Sequence, residues 1–442
     1  MTEMFASGDV SRAFIKFAIP SVLTSLLMIS TYIVDGILVG QFVGAEGLAS
    51  FNLVFPVFSF LAATGIIIAT GSSALIGDYL GRNRPKDANQ IFNISLVLAI
   101  TSSIIISIIT LYFADNITRM LGATDILFDA TREYFTILAL FFTPFIVGIC
   151  LQFFIRNEGN ATYPIKATIV SVIINIPMTY IFLGVLGMGL GAAALGSGIS
   201  VVASMALLAA YFYKKDSIMS YAMPIFNLGK IKKILHNGSS EGISEISAGI
   251  VMLFFNLTLI AHLGEIGIAA FAILSLVSLI LIMTFVGLSM SLQPIVSYNF
   301  GANNISRIKG TLKISIKIAV IIGIIFYASV FAFGGYFIEL FSAGNEKLTT
   351  VAIDAIHIYG ISYIFMGVNF LASGYMTALH KPKASLIISL SYNFIFVMVG
   401  LLVLPHVFGA TGIWWAVPLA NVAAAFLSIY YMIRINRKLV KI

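Results

Sequence analysis

Long apolar runs separated by short polar connections dominate this chain. Read against the turn and charge signals that flank them, the runs predict spans near residues 14–39, 50–76, 92–113, 133–154, 163–183 and 190–213. A second set follows near 242–262, 267–296, 313–335, 352–376, 384–404 and 411–433. Each run is close to the roughly 20 apolar residues that cross a bilayer as a helix. The pattern therefore predicts an all-α membrane protein with twelve transmembrane helices. The longest polar connection falls between the sixth and seventh runs. It divides the chain into a six-helix lobe at 1–213, an amphipathic cytoplasmic linker at 214–240 and a second six-helix lobe at 241–442.

Composition strengthens this picture. The chain is 60% hydrophobic and only 10% charged, with a mean hydropathy of +1.03, too few polar groups to cover the surface of a soluble fold. The net charge of +7 does not point to nucleic acid, because the bases are scattered through the connections and form no single patch. When the amino terminus is placed in the cytoplasm, twenty-two of the 25 Lys and Arg fall on the cytoplasmic side, and only Arg119, Arg132 and Lys347 fall outside. The positive-inside rule then favours an even number of spans, with both termini cytoplasmic in a multi-pass inner-membrane protein. Arg12 and Lys16 before the first run imitate a signal peptide. That run lacks a small-residue cleavage pattern, so a retained helix is expected.

The chain repeats itself. Gly44-Ala45-Glu46-Gly47-Leu48-Ala49 returns as Gly264-Glu265-Ile266-Gly267-Ile268-Ala269, and Gly81-Arg82-Asn83 as Gly301-Ala302-Asn303, both at an offset of 220. Pro164, Asn175, Gly191 and Ala192 return as Pro382, Asn393, Gly409 and Ala410 at an offset of 218. Six spans per repeat is an even number, so both halves enter the bilayer in the same sense. A pseudo-two-fold axis along the membrane normal should relate them. Two facing lobes leave a central cleft, which is the architecture of alternating access.

Several chemistries are excluded. The single Cys150 rules out disulfides within the chain and multi-cysteine metal sites. No H-E-x-x-H or Ser-centred catalytic cluster occurs, no Walker motif offers ATP as a direct energy source, and no catalytic residue or cofactor is expected. The loop after the second run reads Gly77-Asp78-Tyr79-Leu80-Gly81-Arg82-Asn83-Arg84, a poor fit to the major-facilitator pattern.

Acidic residues inside spans are costly, about 2.5 to 3.5 kcal/mol on insertion scales, and two stand out. Asp35 ends the stripe Ser21, Thr24, Met28, Thr31, Asp35, whose spacing places these residues on one helical face. Burial favours the protonated carboxyl and a nearby cation favours the carboxylate, so protons and cations compete at such a group. The other reading of Asp35 is an acid near the outer interface, about 30 Å along the helix from Phe14, that reaches headgroup water. On the fifth run Ser171, Asn175 and Thr179 recur every four residues and offer oxygen ligands suited to a hard cation, with sodium at Asp35 the one metal suggested. A plain helix–helix hydrogen bond is the other reading of Asn175. Glu245, at the start of the seventh run, is a second cation-coupling candidate or an acid favoured by the helix dipole. Glu241, one turn earlier, is expected to be such a terminal acid. Tyr32 and Met28 beside Asp35, with Ser197 and Asn256, are candidate substrate-binding residues, and Glu158, between Arg156 and Asn160 at the end of the fourth run, is either a further one or a locally ion-paired acid. Pro20 marks a candidate bend near Asp35. Pro56, Pro144, Pro177 and Pro294 also interrupt spans.

These features resemble the multidrug and toxic compound extrusion (MATE) family over nearly the whole chain. The resemblance is carried by Pro20 to Asp35 followed by Gly40, Gly44 and Ala49, by Gly81-Arg82-Asn83-Arg84, and by Asn175 followed by Gly187, Gly189 and Gly191-Ala192-Ala193. It implies two six-helix lobes and export of amphipathic, cationic organic compounds in exchange for protons or sodium, by a protein working as a monomer in the lipid bilayer. Many members carry an aspartate four residues after the asparagine, where this chain has Thr179. Asp35 is then the main titrating group of the first lobe. A lipid-linked saccharide flippase of the same superfamily is the alternative. It calls for a strongly basic cavity, whereas no Arg or Lys is expected within the spans.

Overall fold

The computed structural model describes residues 3–342 and 345–439. Nine helices among them are long and apolar enough to cross a membrane, and two bent pairs bring the number to eleven. The twelfth span comes from the 74-residue helix Leu228–Gly301, which breaks at Gly264, where φ is 63° and ψ −152°. In chain order the first lobe is α1 (Val10–Phe42), α2 (Ala45–Gly81), α3 (Pro85–Tyr112), α4 (Asp125–Ala139 bent by 51° into Phe142–Asn157), α5 (Thr162–Val185) and α6 (Gly191–Tyr213). The second lobe is α7 and α8 (the parts of Leu228–Gly301 before and after Gly264), α9 (Ile305–Ser342), α10 (Glu346–Tyr359 bent by 48° into Ser362–Ala378), α11 (Pro382–Phe408) and α12 (Ala410–Leu439).

Local chemistry sets the boundaries. The Asp9 carboxylate caps α1 by accepting from the Ser11 and Arg12 amides, and Asn227 caps α7 by accepting from the Lys230 amide. Pro85 and Pro382 open their helices at the first turn, where a missing N–H costs nothing. Pro20 lies inside an unbroken α1, and Pro56 follows a break at Val54 within α2. The segment expected as a linker to residue 240 is helical from Leu228, so the true connection is short and Glu241 lies well inside α7. This overturns its reading as a helix-terminal acid.

The repeat is visible in the backbone. Gly44 and Gly264 both take positive φ, as do Asn83 and Asn303, so equivalent positions make equivalent breaks. Each lobe has its own apolar core. The lobes exchange residues where they meet: Phe5, Phe14 and Phe17 of the amino-terminal segment belong to the second lobe's core, and Ile234 of α7 belongs to the first lobe's. The amino-terminal segment is tied there by Asn299, which donates to the Phe5 carbonyl at 3.0 Å, and by Arg307, which donates to the Gly8 carbonyl at 2.6 Å.

The lobes meet at the end of the molecule that carries Gly8, the 82–84 and 302–304 turns and the interlobe connection, called here the basic end. A β-carbon on Gly71 would meet the Gly238 amide at 2.9 Å, one on Gly81 the Ala302 amide at 2.9 Å, and one on Gly301 the Asp78 carbonyl carbon at 2.8 Å. Only glycine permits such approach, the small-residue packing by which membrane helices come close. Gly287 presses on Val22, and Ile67, the repeat mate of Gly287, presses on Gly242, the mate of Val22. Asp78 faces His380 of the other lobe at 3.6 Å while holding Arg82 of its own helix at 2.8 Å. Further from this end the seam parts: β-carbons on Gly36 and Gly40 would touch only their own lobe, and one on Gly249 nothing within 4 Å.

Candidate functional site

Asp35 is 5% exposed and is held from two other helices. Ser197 of α6 donates to its Oδ2 at 2.7 Å, Asn175 of α5 donates to the same oxygen at 3.2 Å, and Thr179 donates to Oδ1 at 3.2 Å. Asn175 Nδ2 also donates to Ser197 Oγ at 3.1 Å. The expected i, i+4 faces of α1 and α5 therefore do converge, and α6 closes the ring. Charge-assisted hydrogen bonds of this kind offset part of the cost of burying a carboxylate. The Asn175 carbonyl oxygen is buried and has no hydrogen-bond partner among the described residues. An orphaned acceptor beside a carboxylate is an invitation to a cation or a proton donor.

Asp35 opens onto a cavity of about 180 Å³ inside the first lobe, lined by Met28, Tyr32, Phe51, Phe55, Tyr134 and Phe141 among others. Tyr32 stacks near Phe51 at 5.1 Å and Phe55 at 6.0 Å. Aromatic faces next to a carboxylate suit an organic cation. The volume falls below the roughly 300 Å³ that holds a drug-sized ligand. It has room for an ion, or for the cationic end of a larger molecule whose body lies between the lobes.

The other candidates divide. Met28, Tyr32 and Ser197 join Asp35 at this cavity, and Ser197 acts there as a hydrogen-bond donor to the acid. Asn256 is half-buried on α7 and lines no part of it. Glu158 is fully buried away from it, accepting from Ser217 Oγ at 2.8 Å and the Met219 amide at 2.7 Å. It clasps the interlobe connection to the first lobe. Burial pushes its carboxyl above the ordinary range, against the lowering effect of these donors. Glu245 is exposed on α7.

Two charges packed among helices, the half-buried Glu241 and the buried Arg156, escaped sequence reasoning. Glu241 accepts from Ser373 and Thr377 of α10, each at 3.2 Å, and both hydroxyls lie 2.9 Å from Ser385. The Asn227 cap, which starts the helix fourteen residues earlier, is the sequence signal that places this acid inside it. Arg156, expected at a loop, is 1% exposed. Its Nε donates to Ser21 Oγ at 3.3 Å, and Nη1 and Nη2 have no hydrogen-bond partner among the described residues. The expectation that no Arg or Lys lies within the spans is thus corrected at two buried positions, Arg156 in the last turn of α4 and Arg307, 8% exposed, in the first turn of α9. No group of three or more His, Cys, Asp or Glu able to hold a metal occurs among the described residues.

Two parallel six-helix lobes, closed on each other at one end, with a buried carboxylate in a small aromatic cavity, define a polytopic membrane transporter. The MatE family model matches residues 20–181 and 245–402, once in each lobe, and the chain belongs to that family, whose members are transporters and not enzymes. It is 25% identical over 438 residues to the multidrug export protein MepA of Staphylococcus haemolyticus, covering 98% of this chain and 96% of the relative. To MepA of Staphylococcus aureus strain NCTC 8325 it is 25% identical over 434 residues, covering 97% and 95%. Its fold matches an outward-facing multidrug resistance MATE family transporter of the MOP superfamily with a TM-score of 0.95 at 22% identity, covering 100% of this chain and 99% of that one.

Proposed function

We propose that this protein exports amphipathic cationic organic compounds from the cytoplasm in exchange for protons or sodium, with Asp35 as the coupling group. The observation that carries this reading is the Asp35 carboxylate, buried, ringed by Ser197, Asn175 and Thr179, and opening on an aromatic cavity. Coupling ion and substrate cation compete for one negative charge, so binding of either expels the other. The charge asymmetry of the connections supports a cytoplasmic basic end, with both termini there and the seam closed toward the cytoplasm. Glycine contacts at 71, 81 and 301 then form the inner gate, and rocking the lobes about the seam exposes the cleft to alternate sides. Glu241 and Glu245 supply acid in the second lobe. Two buried guanidinium groups, Arg156 and Arg307, both outside the cavity, are not the basic chamber that a saccharide-lipid flippase needs.

The test is dye efflux from proteoliposomes containing the purified protein, driven first by an imposed pH gradient and then by an imposed sodium gradient. Asp35→Asn should abolish efflux under whichever gradient drives the native protein, with insertion and monodispersity unchanged. Unaltered efflux by this variant would sink the assignment, and efflux that ignores both gradients would sink the antiport.

A further inference from the structure

A second cavity, of about 770 Å³, lies on the outer side of the second lobe at the basic end, between α9 and α12. Its lining includes Lys309, Lys313 and Ile316 of α9 and Met432, Asn436 and Arg437 of α12. Lys313 and Arg437 are exposed, Lys309 is half-buried, and the Leu312 and Met432 side chains are buried. None of its lining residues is acidic. Ile429 and Ile433, one turn apart on α12, are 44% and 48% exposed and also line it, extending an apolar wall away from the cations.

The internal repeat shows what this groove is for. At the offset of 220, Lys309, Leu312, Lys313 and Ile316 correspond to Asn89, Phe92, Asn93 and Leu96 of α3. In the first lobe that face is covered by the interlobe connection. Asn89 Oδ1 accepts from the Ser220 amide at 2.8 Å, Asn93 Oδ1 accepts from the Ala222 amide at 2.9 Å, and Asn93 Nδ2 donates to the Ser220 carbonyl at 3.0 Å. The Tyr221 ring lies 5.7 Å from Phe92, and Met219 beside it is fully buried. The face is thus a binding face, and in the first lobe its ligand is a neutral, partly apolar strand of this chain. In the second lobe both amides, which accept from backbone N–H groups, are replaced by ammonium groups, which only donate.

We infer that the groove between α9 and α12 binds an anionic phospholipid from the leaflet at the basic end, its phosphate among Lys309, Lys313 and Arg437 and its acyl chains along Ile316, Ile429 and Ile433. Basic pockets between membrane helices, with apolar walls continuing toward the hydrocarbon, recognise acidic headgroups in this way. A free anion would make no use of the isoleucine wall, and a zwitterionic lipid would bring its own cation to three others. The inference does not depend on what the protein transports.

Each base near the surface contributes about fivefold in affinity for acidic lipid. Native mass spectrometry of the purified protein with added phosphatidylglycerol or phosphatidylcholine should therefore show at least a tenfold preference for the former. Lys309→Asn, Lys313→Asn and Arg437→Gln together should erase that preference. Lys86→Gln, Lys232→Gln and Lys233→Gln together, three exposed bases at the same end, should leave it intact, and so should Lys309→Arg with Lys313→Arg. Undiminished phosphatidylglycerol retention by the first triple variant would overturn the site. Displacement of the lipid by millimolar inorganic phosphate would overturn the lipid assignment in favour of a free anion. A change in cross-linked dimer yield without a change in lipid retention would overturn it in favour of contact between copies.

Discussion

Arg156 and Asp35 both carry charge into the first lobe, yet the protein treats them differently. Asp35 receives three side-chain donors, whereas Arg156 keeps one bond through Nε and has no hydrogen-bond partner for its two terminal nitrogens among the described residues. An uncompensated buried charge costs several kcal/mol, and an apolar side chain of similar volume often stabilises the fold. Arg156→Met should therefore raise the denaturation free energy by at least about 1 kcal/mol, read as a later midpoint in detergent, while slowing transport. A midpoint that falls would mean that the guanidinium is satisfied after all. Asp35, Asn175 and Thr179 were legible in the sequence because a carboxylate in an apolar run is expensive and polar residues every fourth position share a face. Arg156 was not legible, since a base in the last helical turn of a span looks the same in sequence whether it reaches water or folds back on Ser21.

At the scale of elements, the interlobe connection is fastened to the first lobe by buried and half-buried side chains. Glu158 receives Ser217 and Met219, while Asn89 and Asn93 receive the backbone beyond them. Because burial raises the Glu158 carboxyl above the ordinary glutamate value of about 4.5, the folded state binds a proton more tightly than the unfolded chain. Between that value and the raised one the native protein carries more protons, so stability falls as pH rises through the window. Glu158→Gln should flatten this fall. The measurement is the thermal midpoint of wild type and variant from about pH 4.5 to pH 7, and parallel curves would refute the account. The helical count was readable from hydropathy, but the start of α7 was not. Between Leu228 and Ser240 the polar residues are divided, Lys230 reaching Asp87 and Gln90 of the other lobe while Asn237 donates to the Thr377 carbonyl of its own, and amphipathic character at a membrane surface does not distinguish a linker from the first turns of a span.

For the whole molecule, the repeat at offset 220 says more than that the lobes are alike, because residues and their mates meet across the seam. A β-carbon on Gly77 would press against Ser297, its own mate, and ones on Gly81 and Gly301 would each press into the backbone around the other's helix. Contacts on a pseudo-two-fold axis hold only while the lobes are closed at this end, since any rocking separates both halves of each pair together. Glycine spacing showed the duplication in the sequence, but which end closes depends on cross-lobe packing that no single helix records. If this seam is the inner gate, a methyl group there should bias the lobes apart. On Gly301 it would lie 2.8 Å from the Asp78 carbonyl carbon and 3.0 Å from its Cα, where helix backbone cannot yield. The native Cys150 is buried and can be replaced by alanine, leaving one reporter cysteine introduced at Ser297, 1% exposed in the closed seam. Gly301→Ala should speed maleimide labelling of that cysteine several-fold, since reactivity follows the open population when opening is fast. The same change at Gly249, where a β-carbon meets nothing, should leave labelling at the background rate. Equal rates in both variants would show that the glycine contacts pack the lobes without governing their opening, and the gate would then have to be sought at the Asp78 and His380 pair.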